Sequence, residues 1–298
     1  MKQRTAVLLA AYNGMQWIAA QVESILCQEN VDIHLFISVD LSTDQTLAWC
    51  HGLAERDMRV TVLSGEERFG GAARNFFRLF VDVSFSDFGY VALADQDDIW
   101  LPDKLSAAQY FLSNNGYDAY SGNVVAFWSN GREVLVNKAQ PQRRYDYFFE
   151  AAGPGCTYVF KVQPALNFKR FLIQNWTLLS QVSLHDWMIY AWFRISDYRW
   201  HIDPTPKVMY RQHTSNQVGA NQGLQAAINR LRLLRAGWYR AEIAKIASLL
   251  GSLSSDCLSQ SLMAGKIPRK LVFTYGNELR RRLRDRVFLA IIIIFGLY

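Results

Sequence analysis

Three carboxylates stand within four residues in the segment Asp95-Gln96-Asp97-Asp98, which directly follows the apolar run 88–94. The run predicts a buried strand, so the acids are expected at its carboxyl end. Carboxylates this close repel one another, and the cluster therefore favours a bound cation. Hard oxygen ligands suit Mg²⁺ or Mn²⁺, and these cations usually bind together with phosphate groups. The alternative interpretation is a solvated acidic loop that caps the helix beginning near Pro102.

Side-chain alternation divides this acidic cluster into two parts. Residues two apart on a strand face the same side, so Asp95 and Asp97 are expected to reach one ligand. Asp98 is then expected to point away from that ligand and to cap the following helix.

Two later groups of polar residues could complete a site. His185-Asp186 places an imidazole beside a carboxylate, and Arg211-Gln212-His213 places a guanidinium near an imidazole. Each group has a structural interpretation: Asp186 could cap a helix that begins at Trp187, and His213 could be an ordinary core histidine.

An open α/β sheet is predicted to position these groups. Apolar runs predict strands over 5–13, 31–39, 59–63 and 88–94, and helical periodicity predicts helices over 15–28, 42–55, from Gly70 onward and over 102–112. A first strand with almost no polar interruption is typical of the buried centre of a parallel sheet. Such sheets bind ligands at the carboxyl ends of their strands. The chain lacks GxGxxG after its first strand and lacks GxxxxGK[ST], which disfavours dinucleotide-binding and P-loop folds.

The chain beyond these alternating elements is less regular. A strand is predicted over 117–129 and a polar loop over 130–150. The turn Gly153-Pro154-Gly155-Cys156 precedes a strand over 157–160, and helices are predicted over 164–181 and 187–194.

Composition and charge separate the chain into two regions. Its 298 residues are 50% hydrophobic and 14% aromatic, which suffices for one large and one smaller domain. The four cysteines are widely spaced without a CxxC pair, which disfavours disulfides or zinc and favours a reducing cytosol. Residues 1–220 carry 19 Lys and Arg against 22 Asp and Glu, whereas residues 221–298 carry 13 against 4. A tail this basic suits an anionic membrane or nucleic acid.

Six motifs in this order resemble the inverting glycosyltransferases of family 2, whose fold is called GT-A. They extend over residues 5–216, about 70% of the chain. The segment 94–100, with Arg74-Asn75-Phe76, is similar to a branch rich in rhamnosyltransferases of bacterial surface polysaccharides. The resemblance implies an open mixed sheet flanked by helices, with a catalytic domain over 1–220 and a helical basic extension over 221–298. Its nucleotide-sugar half would cover about 1–115 and its acceptor half about 116–220. The motifs are Tyr12-Asn13, Asp40 with Ser42-Thr43-Asp44, Gly71 to Asn75, Asp95 to Asp98, His185-Asp186 and Arg211-Gln212-His213.

The resemblance implies a donor site for a dTDP- or UDP-sugar. Asp40 would accept a hydrogen bond from the N3 imide of thymine or uracil, a donor that cytosine lacks. Leu41 stands where the family usually has a second acid. Tyr12 would lie against the base, and Arg74 would follow small residues that let the chain pass close to the nucleotide. Each residue also has a structural alternative: Asp40 could cap a helix, Tyr12 could be a core tyrosine, and Arg74 could be a surface arginine. The implied nucleotide-sugar contacts are Ala11, Tyr12, Asn13, Asp40, Arg74, Asp95, Gln96 and Arg211.

The resemblance also assigns the chemistry. Asp97 and His213 would bind Mg²⁺ or Mn²⁺, and the fixed donor fork of Arg211 would contact the diphosphate. Asp186 would be the catalytic base, taking a proton from an acceptor hydroxyl as its oxygen attacks the anomeric carbon. The implied sugar and acceptor pocket consists of Trp100, Gly155, Cys156, His185 and Trp187.

The tail carries features of a membrane-binding segment. Leu224, Ile228, Leu231, Leu234 and Trp238 have helical spacing with arginines between them, which predicts a basic amphipathic helix or a helix packed on the catalytic domain. The basic run 280–286 precedes 12 apolar residues at 287–298, against roughly 20 needed to span a bilayer. We therefore expect peripheral attachment to an anionic membrane surface, the cytoplasmic face of the bacterial inner membrane. A homodimer contact is the alternative.

These implications favour transfer of L-rhamnose from dTDP-L-rhamnose to a saccharide or lipid-linked saccharide of lipopolysaccharide or another surface polysaccharide. A UDP-hexose or UDP-N-acetylhexosamine donor is the first alternative. A nucleic-acid-binding protein would explain the basic tail but would leave the acids unused, so no nucleic-acid partner is expected. A non-catalytic sugar-binding protein is disfavoured because Asp97, Asp186 and His213 are all present.

Overall fold

The computed structural model describes residues 3–64, 68–213, 228, 232–251, 253, 257–265 and 269–296. The described chain forms a seven-stranded sheet, a smaller four-stranded sheet, and helices on both faces of the larger sheet. The predicted open mixed α/β fold is confirmed. The strands are β1 (Thr5–Ala11), β2 (Ile33–Val39), β3 (Val60–Val62), β4 (Tyr90–Asp95), β5 (Ile99–Trp100), β6 (Ala119–Gly122), β7 (Val124–Phe127), β8 (Glu133–Val136), β9 (Val159–Lys161), β10 (Trp200–Asp203) and β11 (Val208–Arg211).

The larger sheet has the order β10-β6-β9-β4-β1-β2-β3. Its strands are parallel except β9, which lies antiparallel between β4 and β6. Every residue of β1 is buried because the strand is central and covered on both faces. This double burial explains why its sequence is continuously apolar from Ala6 to Ala11 rather than alternating.

Helices pack on the two faces of the larger sheet and form two hydrophobic cores. The helices are α1 (Ile18–Leu26), α2 (Thr46–Ala54), α3 (Ala72–Asp82), α4 (Lys104–Asn114), α5 (Val162–Gln174), α6 (Trp176–Leu179), α7 (His185–Ile195), α8 (Trp238–Leu250), α9 (Cys257–Met263), α10 (Arg269–Tyr275) and α11 (Leu283–Ile294). Helices α1, α2 and α4 belong to the core on one face of the larger sheet, to which β1 contributes Val7 and Leu9. Helices α3, α5 and α7 belong to the core on the other face, to which β1 contributes Ala6 and Leu8.

The single strand expected over 117–129 is wrong, because the chain passes from one sheet to the other at Asn123. Strand β6 belongs to the larger sheet and β7 to the smaller sheet, which has the order β5-β11-β7-β8. The Asn123 side-chain oxygen accepts the N–H groups of Lys138 and Ala139, at 2.6 Å and 3.1 Å. The segment 130–150, expected to be a loop, also contains β8 and a short 3-10 helix at Asp146–Phe148.

The tail packs onto the catalytic part of the chain. Ile246 and Leu250 of α8 and Ile292 of α11 are buried in the same core as α3, α5 and α7. Glu242 of α8 is fully buried and accepts the backbone N–H of Ser183 at 2.6 Å, just before α7. Of the predicted helix over 224–238, the structure describes residue 228 and residues 232–238: residues 232–235 are helical, and a turn at 236–237 separates them from α8. The segment 214–220 lies outside the described residues, so the domain boundary at 220 stays a prediction.

Two arginines of the basic run 280–286, which was expected to face an anionic membrane surface, instead contact other parts of the protein. Arg281 is buried and pairs with Asp146 and Glu150, and Arg280 donates to the carbonyl of Phe149 at 2.7 Å. These contacts bind the tail to the segment 146–150. Among the described helices, none combines the length and the apolar character that crossing a bilayer requires.

Candidate functional site

The carboxyl ends of β1, β2 and β4 form the edge of the sheet where the predicted donor residues lie. Ala10 of β1 is in register with Asp95 of β4, and Ala11 is in register with Val39, the residue before Asp40. Parallel neighbouring strands end at the same edge, so the chain segments that follow them meet there. The structure therefore brings Ala11, Asp40 and Asp95 to one edge of the sheet.

Gln96 joins the ends of β1 and β4. The N–H of Tyr12 donates to Gln96 Oε1 at 2.7 Å, and Gln96 Nε2 donates to the carbonyl of Tyr12 at 2.8 Å. A Cβ atom at Gly14 would lie 2.2 Å from Oε1, so this position requires glycine. Both polar ends of the Gln96 amide are occupied, whereas the Tyr12 side chain is left largely in the open, since the residue is 52% exposed.

Asp40 is buried and holds the loop before α3. Its Oδ1 accepts the N–H groups of Leu41 and Phe69, each at 2.8 Å, and its Oδ2 accepts the N–H of Gly70 at 3.0 Å. A carboxylate oxygen has two lone-pair sites, so Oδ2 can still accept one further donor. Asp40 is not the cap of α2, since that helix begins at Thr46 and Asp44 accepts the Thr46 N–H at 3.0 Å.

Asn13 and Arg74 connect other parts of the donor edge. Asn13 Oδ1 accepts the N–H of Thr43 at 2.8 Å, which ties the turn after β1 to the segment after β2. Arg74 is exposed in the first turn of α3, and its Nε donates to the carbonyl of Ser180 at 2.8 Å. The guanidinium thus bridges α3 to the segment between α6 and α7.

Asp97 and His213 come together across the site. Asp97 Oδ2 lies 2.7 Å from His213 Nε2, and both side chains keep some solvent access, at 13% and 14%. The imidazole stacks on Trp17, with ring centroids 4.0 Å apart and an angle of 16° between the planes. Stacking fixes the orientation of the ring, so its nitrogen points at the carboxylate.

Arg211 donates hydrogen bonds to two residues of the acidic loop. Its Nε donates to the carbonyl of Asp97 at 2.8 Å, and its backbone N–H donates to Asp98 Oδ1 at 3.1 Å. The guanidinium lies over the ring of Phe127, 4.7 Å from its centroid. Strand β11 therefore carries both Arg211 and the chain leading to His213 against the acids.

Asp98 does not cap the following helix, and that prediction is wrong. Helix α4 begins at Lys104, whereas the Asp98 side chain points inward. Ligand-type atoms of Asp95, Asp98 and Cys156 all lie within 4.8 Å of one another. Strand β4 ends at Asp95, and the chain bends there. Side-chain alternation therefore stops applying, and Asp98 rather than Asp97 shares the side of Asp95.

The inner cluster of Asp95, Asp98, Cys156 and Lys104 is electrostatically unusual. Burial, with the neighbouring Asp97, raises the pKa of Asp98 to about 8. Burial lowers the pKa of Lys104, whose Nζ lies 3.0 Å from the centroid of the Trp100 ring. A thiol is a poor ligand for Mg²⁺ or Mn²⁺, so this dry cluster does not fit those cations. It supports the loop that carries Asp97.

The predicted base lies in the first turn of α7. The helix begins at His185, so Asp186 is not its cap, and Asp186 Oδ1 accepts the N–H of Trp187 at 2.7 Å. Burial raises the pKa of Asp186 to about 6. The charge of Asp186 is also among the causes that raise the pKa of Asp95.

His185, next to the predicted base, is buried. Burial lowers its pKa to about 3. Its ring stacks on Phe76, with centroids 4.1 Å apart, and a Cβ atom at Gly155 would lie 2.4 Å from its Nε2. The imidazole therefore fills the space that glycine leaves at position 155.

The remaining residues of the predicted acceptor pocket pack beneath the surface. Trp100, Cys156 and Trp187 are each buried, and Trp187 Nε1 donates to the carbonyl of Tyr147 at 2.9 Å. Their side chains shape the floor of the site, whereas Gly155 and His185 contact each other beside Asp186.

The comparisons with known proteins agree with this geometry. The model of glycosyl transferase family 2 matches residues 6–174. A dTDP-rhamnosyl transferase of Shigella flexneri is 42% identical over 291 residues, which cover 97% of this chain and 100% of that protein. The chain belongs to glycosyltransferase family 2. An Escherichia coli enzyme, UDP-Glc:alpha-D-GlcNAc-diphosphoundecaprenol beta-1,3-glucosyltransferase, is 26% identical over 164 residues, or 54% of this chain and 61% of that protein.

Solved structures show that the fold of this glycosyltransferase is GT-A. S. aureus TarS 1-349 matches with a TM-score of 0.55 at 15% identity, covering 100% of this chain and 81% of that chain. A mannosyltransferase from Pyrobaculum calidifontis, solved with GDP-Man and Mn²⁺, matches with a TM-score of 0.52 at 16% identity and the same coverage. At these identities the likeness establishes the fold alone.

Two residues near the base of this glycosyltransferase were missed from the sequence. The Tyr158 hydroxyl contacts the carbonyls of Gly153 and Asp186, at 3.2 Å and 3.3 Å. Lys138 lowers the pKa of Asp186, and burial lowers the pKa of Lys138 itself to about 8. A lone Lys in a polar segment and a Tyr beside a strand carry no motif, and only the fold places them beside Asp186.

The donor set of Asp97 and His213 fits a divalent cation. Carboxylate oxygen and imidazole nitrogen are ligands that Mn²⁺ accepts, and at 2.7 Å from each other the two atoms are close enough to bind one ion. Enzymes of the GT-A fold commonly use such cations.

Proposed function

We propose that this glycosyltransferase transfers L-rhamnose from dTDP-L-rhamnose to a saccharide acceptor, with inversion at the anomeric carbon. The near full-length relative from Shigella flexneri, a dTDP-rhamnosyl transferase, supports the donor assignment. The observation that carries the chemistry is the position of Asp186, a partly buried carboxylate in the first turn of α7 beside the contact of Gly155 with His185. Desolvation raises the pKa of Asp186 to about 6. A base with a pKa near the working pH is suited to deprotonating a hydroxyl.

In the proposed donor site, the open Tyr12 ring stacks on thymine and Asp40 accepts its N3–H. Asp40 Oδ2 has one lone-pair site left beyond its bond to Gly70, which supports a single hydrogen bond to the base. The protein N–H groups that already bind Asp40 orient the carboxylate before the donor arrives. Leu41, at the position of a second acid, adds no polar contact to the base.

The proposed reaction is a direct displacement. The acceptor oxygen attacks the anomeric carbon, its proton moves to a carboxylate oxygen of Asp186, and the bond to the diphosphate oxygen breaks, so that dTDP leaves as the anion. Arg211 would contact that diphosphate with its guanidinium group, which the bond from Nε to the Asp97 carbonyl holds beside the acidic loop. A divalent cation held by Asp97 and His213 would neutralise the charge that develops on the leaving group. His185, being neutral, shapes the acceptor side without competing for the proton.

A UDP-glucose donor is the second candidate. The Escherichia coli relative named for UDP-Glc supports it at a lower identity, 26%. Asp40 would bind uracil through the same N3–H, since thymine differs from uracil only by its methyl group. The base contact thus separates thymine and uracil from cytosine but does not separate the two from each other.

We propose further that the enzyme works on a lipid-linked saccharide at an anionic membrane surface, on the cytoplasmic face of the bacterial inner membrane. One face of α11 is exposed and apolar, although its opposite face is buried in the core. Exposed cations lie beside it, among them Arg284. An apolar face with basic flanks is suited to shallow insertion into a bilayer that contains acidic lipids. The exposed apolar side chains are Leu283, Val287, Phe288, Ile291 and Ile294 of α11 and Phe295 directly after it.

The donor assignment is tested by thermal denaturation of the full-length enzyme with dTDP-L-rhamnose, UDP-glucose and GDP-mannose, each with and without Mn²⁺. A ligand that binds only the native state raises the melting temperature with its concentration. We expect the largest, Mn²⁺-dependent shift with dTDP-L-rhamnose. A larger shift with UDP-glucose would support the second candidate, and a shift with GDP-mannose alone would contradict the role of Asp40.

A further inference from the structure

Arg281 is a fully enclosed cation in the described part of the tail. Its side chain is 0% exposed, and it lies between two acids that are themselves buried, Asp146 and Glu150. Its NH1 group donates to Asp146 at 3.3 Å, its NH2 group to the carbonyl of Ala151 at 2.6 Å, and its backbone N–H to Glu150 at 2.6 Å. A buried charge with this many partners fixes the position of each partner, because leaving any of them unpaired is costly.

The two residues on either side of Arg281 in the sequence also bond to the acceptor half of the chain. Arg280 donates to the carbonyl of Phe149, and Arg282 donates to the carbonyl of Asn137. The segment 280–282 therefore spans two stretches of the acceptor half, 137–138 and 149–151. The first stretch carries Lys138, and the second leads into the turn at Gly153 and Gly155.

The acids held by Arg281 are connected to the helix of the base. The Tyr190 hydroxyl donates to Asp146 at 3.1 Å, and Arg194 donates to Asp146 at 3.0 Å. Asp186, Tyr190 and Arg194 are four residues apart, so they share one face of α7. The tail thus contacts α7 on the face that carries Asp186.

The stretch 149–151 is also connected to Asp186 through hydrogen bonds of the residues that follow it. Ala152 donates its N–H to the Tyr158 hydroxyl at 3.2 Å, and the same hydroxyl contacts the carbonyl of Asp186. Two residues after Gly153, Gly155 lies against His185 with no room for a Cβ atom. A displacement of 149–152 would therefore move the surface on which His185 and Asp186 rest.

From these contacts we propose that Arg281 is a positioning residue for the transfer reaction, holding the loop 149–155 and the face of α7 so that Asp186 meets the acceptor hydroxyl. This inference rests on the proposed function, because it assigns Asp186 as the base. It makes the carboxyl-terminal segment part of the acceptor half of the site, while the donor edge at Tyr12, Asp40 and Asp97 has no contact with Arg281 among the described bonds.

The test compares the full-length variants Arg281→Met and Arg281→Lys with wild type. Titration calorimetry with dTDP-L-rhamnose and Mn²⁺ measures donor affinity, and release of dTDP measures turnover with lipid-linked saccharides extracted from bacterial membranes. Misplacement of a reacting group by about 1 Å can cost on the order of a hundredfold in rate. For Arg281→Met we expect turnover about tenfold to a hundredfold lower with donor affinity within about threefold of wild type, and for Arg281→Lys an intermediate rate. Arg170→Met, an exposed arginine on α5, is the matched control and should behave as wild type.

The split between donor affinity and turnover separates positioning from general destabilisation. Circular dichroism establishes a temperature at which all variants are folded. Equal turnover of Arg281→Met and wild type would overturn the proposal, and so would a parallel loss of donor affinity and turnover. If Arg281→Met does not fold, Tyr190→Phe removes one hydroxyl of the network and should lower turnover in the same direction with donor affinity retained. Failure of the wild type itself to bind dTDP-L-rhamnose would instead contradict the proposed function.

Discussion

Asp97 Oδ2 and His213 Nε2 lie 2.7 Å apart although 116 residues separate them in the sequence. Three elements produce this contact: the bend after β4 carries the acid, β11 leads to the histidine, and Trp17 holds the imidazole by stacking. Since both side chains keep some solvent access, the pair can exchange its mutual contact for a cation.

The first prediction concerns this pair. His213→Ala should weaken Mn²⁺ binding by about tenfold or more, because one of two protein ligands is removed. Mn²⁺-dependent stabilisation by dTDP, followed as melting temperature over a metal titration, measures the effect. His51→Ala, an exposed histidine on α2, is the matched control. An unchanged Mn²⁺ dependence in His213→Ala would show that the cation is bound elsewhere.

The second prediction concerns the base. Asp186→Asn keeps an oxygen for the N–H of Trp187 but cannot accept the acceptor proton, so transfer should fall by about a hundredfold to ten-thousandfold. Donor affinity should stay nearly unchanged. Because burial raises the pKa of Asp186, its ionised form is disfavoured in the folded protein, and the neutral variant should melt at an equal or higher temperature at pH 8. Asp87→Asn, at an exposed acid, serves as control, and near wild-type transfer by Asp186→Asn would remove Asp186 from the mechanism.

The third prediction is the pH dependence of transfer. The base must be ionised, and the pKa of Asp186 is raised to about 6, so the rate should fall about tenfold per pH unit below 6 and level off above it. His185 cannot cause this change, since burial lowers its pKa to about 3. The profile of kcat/KM at saturating Mn²⁺ between pH 5 and 8.5 checks this. A rate that is flat through pH 6 would argue against a buried carboxylate as the base.

The fourth prediction concerns the contact of Gly155 with His185. Gly155→Ala would place a Cβ atom 2.4 Å from Nε2, and either the ring or the loop must move. We expect a loss of stability of about 1–3 kcal/mol and lower turnover with the acceptor, while the donor still binds. Chemical denaturation and dTDP release measure the two effects. Gly52→Ala is the control, because nothing lies within 4 Å of its added Cβ and alanine favours the helix. Turnover equal to wild type would show that the loop adapts without affecting the site.

The fifth prediction concerns the exposed face of α11. The double change Val287→Ser and Phe288→Ser should reduce binding to vesicles containing phosphatidylglycerol by about tenfold or more, because two apolar side chains no longer insert. Co-sedimentation at low and high salt measures binding, and neutral phosphatidylcholine vesicles should bind less. Leu135→Ser, at an exposed apolar residue of β8, is the control. The dimer alternative would be favoured if the wild-type protein does not bind the vesicles but forms a dimer that the double change disrupts.

The sequence placed Tyr12, Asp40 and Asp95 at the ends of strands correctly because the signals for strand ends are local. Apolar runs followed by polar residues place Tyr12, Asp40 and Asp95 at strand ends, and the parallel sheet then brings the ends together. The prediction for Asp98 failed because alternation holds only within a strand, and β4 ends at Asp95. The passage between sheets at Asn123 was missed because the amide that fixes it bonds to residues 15 and 16 positions away.

The burial of arginines in the tail could not be predicted from the sequence either. A run of arginines has the same composition whether it faces water or pairs with buried acids, and the acids that pair with Arg281 lie more than 130 residues earlier. Lys138 and Tyr158 were missed for a similar reason, because their closeness to Asp186 arises from the path of the loop and not from any local pattern.

The burial of Arg281 also limits how such enzymes can be recombined. A chimera joined near residue 220 would take Arg281 from one parent and Asp146 from the other, which separates the buried ion pair from the context in which it evolved. An exchange of specificity between related transferases should therefore transfer residues 137–194 and residues 276–296 together. A chimera that received 137–194 alone would contain the loop 149–155 without the arginine that holds it.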